Sequence, residues 1–265
     1  MKKVVIGDCE LYLGDCLERM KEIPDGSVDA IICDPPYQMT ACKWDSIIPL
    51  EPMWAELKRI IKPNGAIVLF GSEPFSSYLR ISNIKQFKYD WIWDKKRITN
   101  PMLAKKQPLR QHEVISVFYN KQPTYNPVPY LKNTNGAIGR QVEAHKTATQ
   151  GGSILFKNKG NKNVFGYPRS LITQIPVMNN LSADKSGLHP TQKPVALMEY
   201  LIKTYTNEGE TVLDFTCGSG STAIACINTN RKGIMIEKDE GYFKIAQGRI
   251  DDALKVKPQS MELEL

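Results

Sequence analysis

The chain has 265 residues, of which 42% are hydrophobic and 24% charged, with 18 Gly and 17 Pro. This composition suits one large globular domain or a catalytic domain with an insertion, and excludes a disordered polymer or a fibrous repeat. Lys and Arg outnumber Asp and Glu by 35 to 28, a formal net charge of +7, so nucleic acid, phosphate-rich ligands or an anionic surface are the natural partners.

Six cysteines, at 9, 16, 33, 42, 217 and 226, contain no Cys-x-x-Cys pair, which argues against a zinc cluster and reads as reduced thiols with no metal. The apolar run at residues 4–6 is too short for a signal-peptide core, and no stretch approaches the ~18 apolar residues of a membrane span. The expectation is a cytoplasmic protein with no membrane attachment.

In chain order, short β-branched or apolar runs predict strands at 28–33, 65–70, 89–93, 114–119, 211–215 and 233–237. Helical spacing of Met53, Trp54, Leu57, Ile60 and Ile61 predicts a helix over 52–61, stopped by Lys62-Pro63-Asn64-Gly65. Further helices are expected at 194–205, 220–229 and 240–256. The alternation implies an α/β fold with a doubly wound, mainly parallel sheet and ligands at the carboxyl ends of its strands.

The positive excess is concentrated in the middle. Residues 94–188 hold 15 basic and 4 acidic side chains, against 11 and 13 before them and 9 and 11 after. Pro101, Pro108, Pro123, Pro127 and Pro129 break periodicity there. The segment reads as a basic, loop-rich insertion that offers unneutralised charge to a polyanion.

Asp34-Pro35-Pro36-Tyr37 follows the first of the buried strands, where such a sheet presents its chemistry. An aromatic exocyclic amine is a poor nucleophile because its lone pair is delocalised into the ring. If the Asp34 carboxylate and the Pro35 carbonyl each accept one N–H, the nitrogen is drawn towards tetrahedral geometry and its lone pair is aimed. The fixed φ of Pro35 and Pro36 stiffens the corner, and Tyr37 offers a face on which a base can stack. Such a base must be extruded from a duplex. The chain has no Pro-Cys dipeptide, which disfavours the covalent route of cytosine carbon methylation.

Late in the chain, Asp214-Phe215-Thr216-Cys217-Gly218-Ser219-Gly220 joins a strand to a helix through small residues, and Ala223 completes a G-x-G-x-x-A pattern. Taken alone this also fits a NAD-dependent oxidoreductase. However, Asp214 would repel a pyrophosphate and suits an ammonium, while Glu237 closes the next strand where a carboxylate can hold ribose hydroxyls. A nucleoside with a charged amino-acid tail, S-adenosylmethionine, fits this pair better.

With both motifs present, and with His189-Pro190-Thr191-Gln192-Lys193-Pro194 opening a helix before the glycine turn, the sequence resembles the beta group of DNA amino-methyltransferases, which modify N6 of adenine or N4 of cytosine. The resemblance implies the S-adenosylmethionine-dependent methyltransferase fold, circularly permuted, with a catalytic half at 1–94, a target-recognition insertion at 95–188, a cofactor-binding half at 189–256 and a disordered tail at 257–265. It implies site-specific methyl transfer to N6 of a flipped adenine in double-stranded DNA, since Asp at position 34 favours adenine. Cytosine-N4 or RNA amine methylation, and a non-catalytic DNA-binding protein, stay open as alternatives.

The catalytic residues implied are Asp34, Pro35, Pro36 and Tyr37. The cofactor residues implied are Asp15, Thr191, Lys193, Asp214, Phe215, Cys217, Gly218, Gly220, Thr222 and Glu237. Trp91 and Trp93 resemble the target-base pocket, and Lys95, Lys96, Arg97, Lys105, Lys106 and Arg110 are expected on phosphates. One departure stands out: Thr216 occupies a position, next to Phe215, where the family often has Pro. A homodimer and a cognate restriction endonuclease are the partnerships left open.

Overall fold

The computed structural model describes residues 2–37, 47–131, 165–175 and 192–256. The chain forms two compact units, a larger one of Met1–Asn126 with Ser170–Leu265, and a smaller one of Pro127–Arg169. The larger unit opens with β1 (Lys2–Ile6), β2 (Cys9–Leu13), α1 (Cys16–Met20), β3 (Val28–Cys33), α2 (Leu50–Ile60), β4 (Ile61–Gly71), α3 (Phe75–Ser82), β5 (Phe87–Thr99) and β6 (Arg110–Phe118). In the smaller unit β7 (Tyr130–Leu131) pairs antiparallel with β8 (Phe165–Gly166). The larger unit resumes with β9 (Leu171–Ile172), α4 (Val195–Tyr205), β10 (Thr211–Asp214), α5 (Ser221–Asn228), β11 (Lys232–Glu237) and α6 (Glu240–Val256).

Nine of these strands form one sheet in the order β1-β2-β11-β10-β3-β4-β6-β5-β9. The five from β2 to β4 are parallel, whereas β1, β6 and β5 add antiparallel pairings at the flanks. Alternate side chains of the central strands divide between two apolar layers. Ala30, Ile32, Ala66, Val68 and Phe70 pack under α4, α5 and α6. Ile31, Cys33, Ile67 and Leu69 pack under α1, α2 and α3. Period-two alternation with helices on both faces makes the sheet doubly wound.

The permutation is visible in the register. The last strand, β11, lies parallel to β2, with Gly233 opposite Cys9 and Glu237 opposite Leu13. An early strand and the last one thus lie side by side, second and third from one edge of the sheet.

Every expected strand and helix forms, most with altered limits. β5 and β6 are long partners of one antiparallel hairpin, so residues 95–118 largely continue the sheet; the separate compact unit begins only at Pro127. The tail 257–265 lies outside the described residues. Elements without an expectation include β1, α1, α3, β7, β8 and β9. α1 is little more than one turn, capped by Asp15, whose carboxylate accepts the Leu17 amide at 3.0 Å. α3 buries Phe75, Ser76 and Leu79 while exposing Tyr78 and Ile81. Among the described residues no helix is long and apolar enough to cross a membrane.

Candidate active site

The neighbouring parallel strands β3 and β10 end side by side, with Leu213 opposite Ile31. Continuing that register brings Thr216 beside Asp34. The Thr216 hydroxyl donates to the Asp34 carbonyl at 3.0 Å and lies 3.0 Å from the Cys33 sulfur. The residue that departs from the family pattern therefore ties the proline corner to the glycine turn, and Phe215 packs in the core beside it, 1% exposed.

Both motifs face one cavity of about 610 Å³. Its wall includes Asp34, Pro35, Pro36 and Tyr37 from the corner, and Asp214, Phe215, Cys217, Gly218 and Thr222 from the turn. Asp15, Lys193 and Glu237 also line it. Gly220 does not; it stands in the left-handed region at φ 82°, and a Cβ there would lie 3.1 Å from that of Ala246 on α6. Its role is to let the turn close against α6. Thr191 lies outside the described residues.

The carboxylates of the site are held in distinct ways. Asp214 is buried; its oxygens accept the Thr216 amide at 3.1 Å and the Thr222 hydroxyl, and burial pushes its carboxyl up to about 6. Glu237 takes the Gly218 amide at 2.8 Å on one oxygen and the Asp239 amide at 2.7 Å on the other, an arrangement that orients both oxygens while leaving lone pairs free. Asp15 keeps one oxygen on the α1 cap and the other 3.3 Å from Lys238.

Asp34 is flanked by two donors. The Tyr37 hydroxyl reaches Oδ1 at 3.2 Å, and the Lys193 ammonium reaches Oδ2 at 2.5 Å. Burial pushes the Asp34 carboxyl up, against the pull of Lys193. The Tyr37 ring stacks on Phe75 with centroids 5.5 Å apart.

Three expectations need correction. Trp91 and Trp93 are 3% and 1% exposed and belong to the apolar layer under α4. Their indole N–H groups donate to the Tyr205 hydroxyl at 2.7 Å and the Ile175 carbonyl at 2.6 Å, so they are core residues and do not line the cavity. Lys95 is 8% exposed and paired with Glu113 at 3.0 Å, which removes it from phosphate reach. Arg110 is half-buried and directs its guanidinium to the Ser72 hydroxyl. Lys96, Arg97, Lys105 and Lys106 are exposed. Glu113 drew no expectation, although it is the sole acid between Asp94 and Glu143 in an otherwise basic stretch, a signal that it has a cationic partner.

Residues 28–248 match the family model of the N6_N4_Mtase DNA methylases. The chain belongs to that family. This DNA methylase is 30% identical to the DNA adenine methyltransferase YhdJ of Escherichia coli (strain K12), over 91% of this chain and 82% of that protein. It is 26% identical to the Type II methyltransferase M.HpaI of Haemophilus parainfluenzae, over 92% and 74% of the two. Among solved structures, the M1.HpyAVI–SAM complex matches with a TM-score of 0.61 at 28% identity, covering 92% of this chain and 99% of that one. The cytosine-N4-specific PvuII DNA methyltransferase matches at 0.63 with 17% identity, a likeness of fold alone.

Proposed function

We propose that this DNA methylase transfers a methyl group from S-adenosylmethionine to N6 of an adenine extruded from double-stranded DNA, at a specific sequence. The observation that carries the reading is the Thr216–Asp34 contact, which sets the base-gripping corner and the glycine turn on one cavity. The relation to an adenine methyltransferase at 30% identity supports adenine over cytosine.

The cavity fits such a cofactor by volume and by donor set. Glu237, pre-oriented by two backbone amides, would accept the ribose hydroxyls. Asp15 would face the adenine edge, and Asp214 an ammonium. Positive φ at Gly218 (53°) and Gly220 (82°) lets the backbone turn without a side chain closing the space. The bound cofactor supplies an electrophilic methyl group on a sulfonium.

The chain's own residues supply orientation. Asp34 and the Pro35 carbonyl would each accept one N–H of the target amine, turning its lone pair towards that methyl. Tyr37, backed by Phe75, would stack on the extruded base. After transfer the amine nitrogen sheds one proton and returns to neutrality. The exposed cations Lys96, Arg97, Lys105 and Lys106 would bind phosphates, and the basic segment that includes residues 127–169 would read the sequence.

The test is tritium transfer from labelled cofactor to DNA, followed by nucleoside analysis. Wild type should yield N6-methyladenine, and Asp34→Ala should abolish transfer while cofactor binding persists. Normal methylation by Asp34→Ala would overturn the mechanism, and N4-methylcytosine as product would overturn the base assignment.

A further inference from the structure

We propose that Lys193, itself gripped by Glu113, is a positioning residue that aims the Asp34 carboxylate at the target amine; this rests on reading Asp34 as the group that receives that amine. Lys193 stands just ahead of α4, 159 residues from Asp34 in sequence, yet its Nζ lies 2.5 Å from Asp34 Oδ2 and 3.2 Å from Glu113 Oε2. Glu113, on β6, completes the row through Oε1 to Lys95 of β5 at 3.0 Å. Charges alternate along Asp34, Glu113 and the two lysines between and beyond them, and they cancel.

All four side chains are largely buried, with exposures of 20% or less. Buried charges persist only when paired. Glu113 Oε2 has no hydrogen-bond partner among the described residues, so the Lys193 ammonium is what compensates it. Lys193 also sits 5.1 Å above the Phe70 ring, which fixes where the ammonium can go.

The consequence for Asp34 is geometric. Its Oδ2 is taken by the ammonium at 2.5 Å, whereas Oδ1 holds only the longer 3.2 Å contact from Tyr37. Oδ1 is therefore the oxygen left for the amine N–H. The groups that act on Asp34 are Lys193, Glu113 across the row, Tyr37 on its own segment, and Asp214 from β10. Lys193 is the cation among them, and its pull opposes burial and Glu113. Without it, burial and Glu113 would push the Asp34 carboxyl further up and favour its protonated form, a poorer acceptor for the amine. Without Glu113, the remaining pull on Asp34 would be stronger.

The two substitutions therefore move the pH profile in opposite directions. The measurement is the single-turnover rate of tritium transfer to unmethylated plasmid DNA between pH 5 and 9, alongside cofactor affinity. Although the family resemblance implies Lys193 as a cofactor residue, its ammonium is committed to Asp34 and Glu113. Lys193→Met should therefore slow transfer about tenfold or more at neutral pH and move the acidic limb to higher pH, with cofactor affinity within about twofold of wild type. Lys193→Arg should restore the limb, and the isosteric Glu113→Gln should move it to lower pH. A limb unmoved in both Lys193→Met and Glu113→Gln, or a rate loss in Lys193→Met matched by an equal loss of cofactor affinity, would overturn the proposal. Should Lys193→Met fail to fold, Glu113→Gln and Lys193→Arg decide alone: a limb unmoved in Glu113→Gln overturns it. Failure of the parent reading looks different, since Asp34→Ala would then still transfer methyl.

Discussion

Replacing Asp214 by Asn tests how this site trades stability for binding. The side chain is 4% exposed, and burial holds its carboxyl at about 6 against an ordinary value of 3.8. A displacement of roughly two units corresponds to about 3 kcal/mol of preference for the neutral form in the folded protein. Because the folded value lies above the unfolded one, that stabilisation is whole below pH ~4 and is lost as the pH rises through about 6. At pH 7.5 the ionised carboxylate is thus a net cost. Asn keeps both contacts, its carbonyl accepting the Thr216 amide and its amide donating to the Thr222 hydroxyl, without the charge. Urea unfolding of the ligand-free protein should show Asp214→Asn more stable than wild type by up to about 3 kcal/mol at pH 7.5. The advantage should shrink towards pH 4. The variant should bind S-adenosylmethionine more weakly, because the ammonium loses its counter-charge, and wild-type affinity should fall as the pH drops through about 6. An Asn variant that is no more stable at pH 7.5, or that binds the cofactor as well as wild type does, would refute this reasoning.

Other outcomes follow from the same geometry. Trp93→Ala should cost about 3–5 kcal/mol in denaturant unfolding, the penalty for emptying a core site; a variant that kept its stability but lost DNA binding would return Trp93 to the base pocket. Replacing Lys96, Arg97, Lys105 and Lys106 together by Ala should flatten the slope of log affinity for DNA against log salt by roughly 0.9 per lost phosphate contact. By contrast, Lys95→Ala should leave that slope in place and lower the unfolding midpoint, since its ammonium is buried on Glu113. Gly220→Ala should cost about 1–2 kcal/mol of thermal stability, because it forces a Cβ into the left-handed region against α6; an unchanged melting temperature would speak against that packing.

Local chemistry was readable from the chain alone. Asp34-Pro35-Pro36-Tyr37 and the Asp214 to Gly220 turn each sit at the end of a short apolar run, and the apolar run of β3 and the helical spacing of α2, α4 and α6 depend only on neighbouring residues. The permuted order followed from which motif comes first. What the chain alone left ambiguous were side chains whose meaning depends on a distant partner. Trp91 and Trp93 carry an apolar body with one polar atom, equally suited to a base pocket or a core, and only the hydroxyl of Tyr205 and the carbonyl of Ile175 decide for the core. Lys95 and Lys96 are adjacent identical cations. Lys95 keeps the inward alternation of Trp91 and Trp93 and meets Glu113, whereas Lys96, at φ 55° where the β5–β6 register shifts, is exposed beside Asp94. The cage around Lys193 joins residues 34, 113 and 193 across more than half the chain. Pairings of that kind are set by the register of β3, β4 and β6 and the start of α4, because opposite charges in a low-dielectric interior act on whichever group the fold brings within a few ångströms.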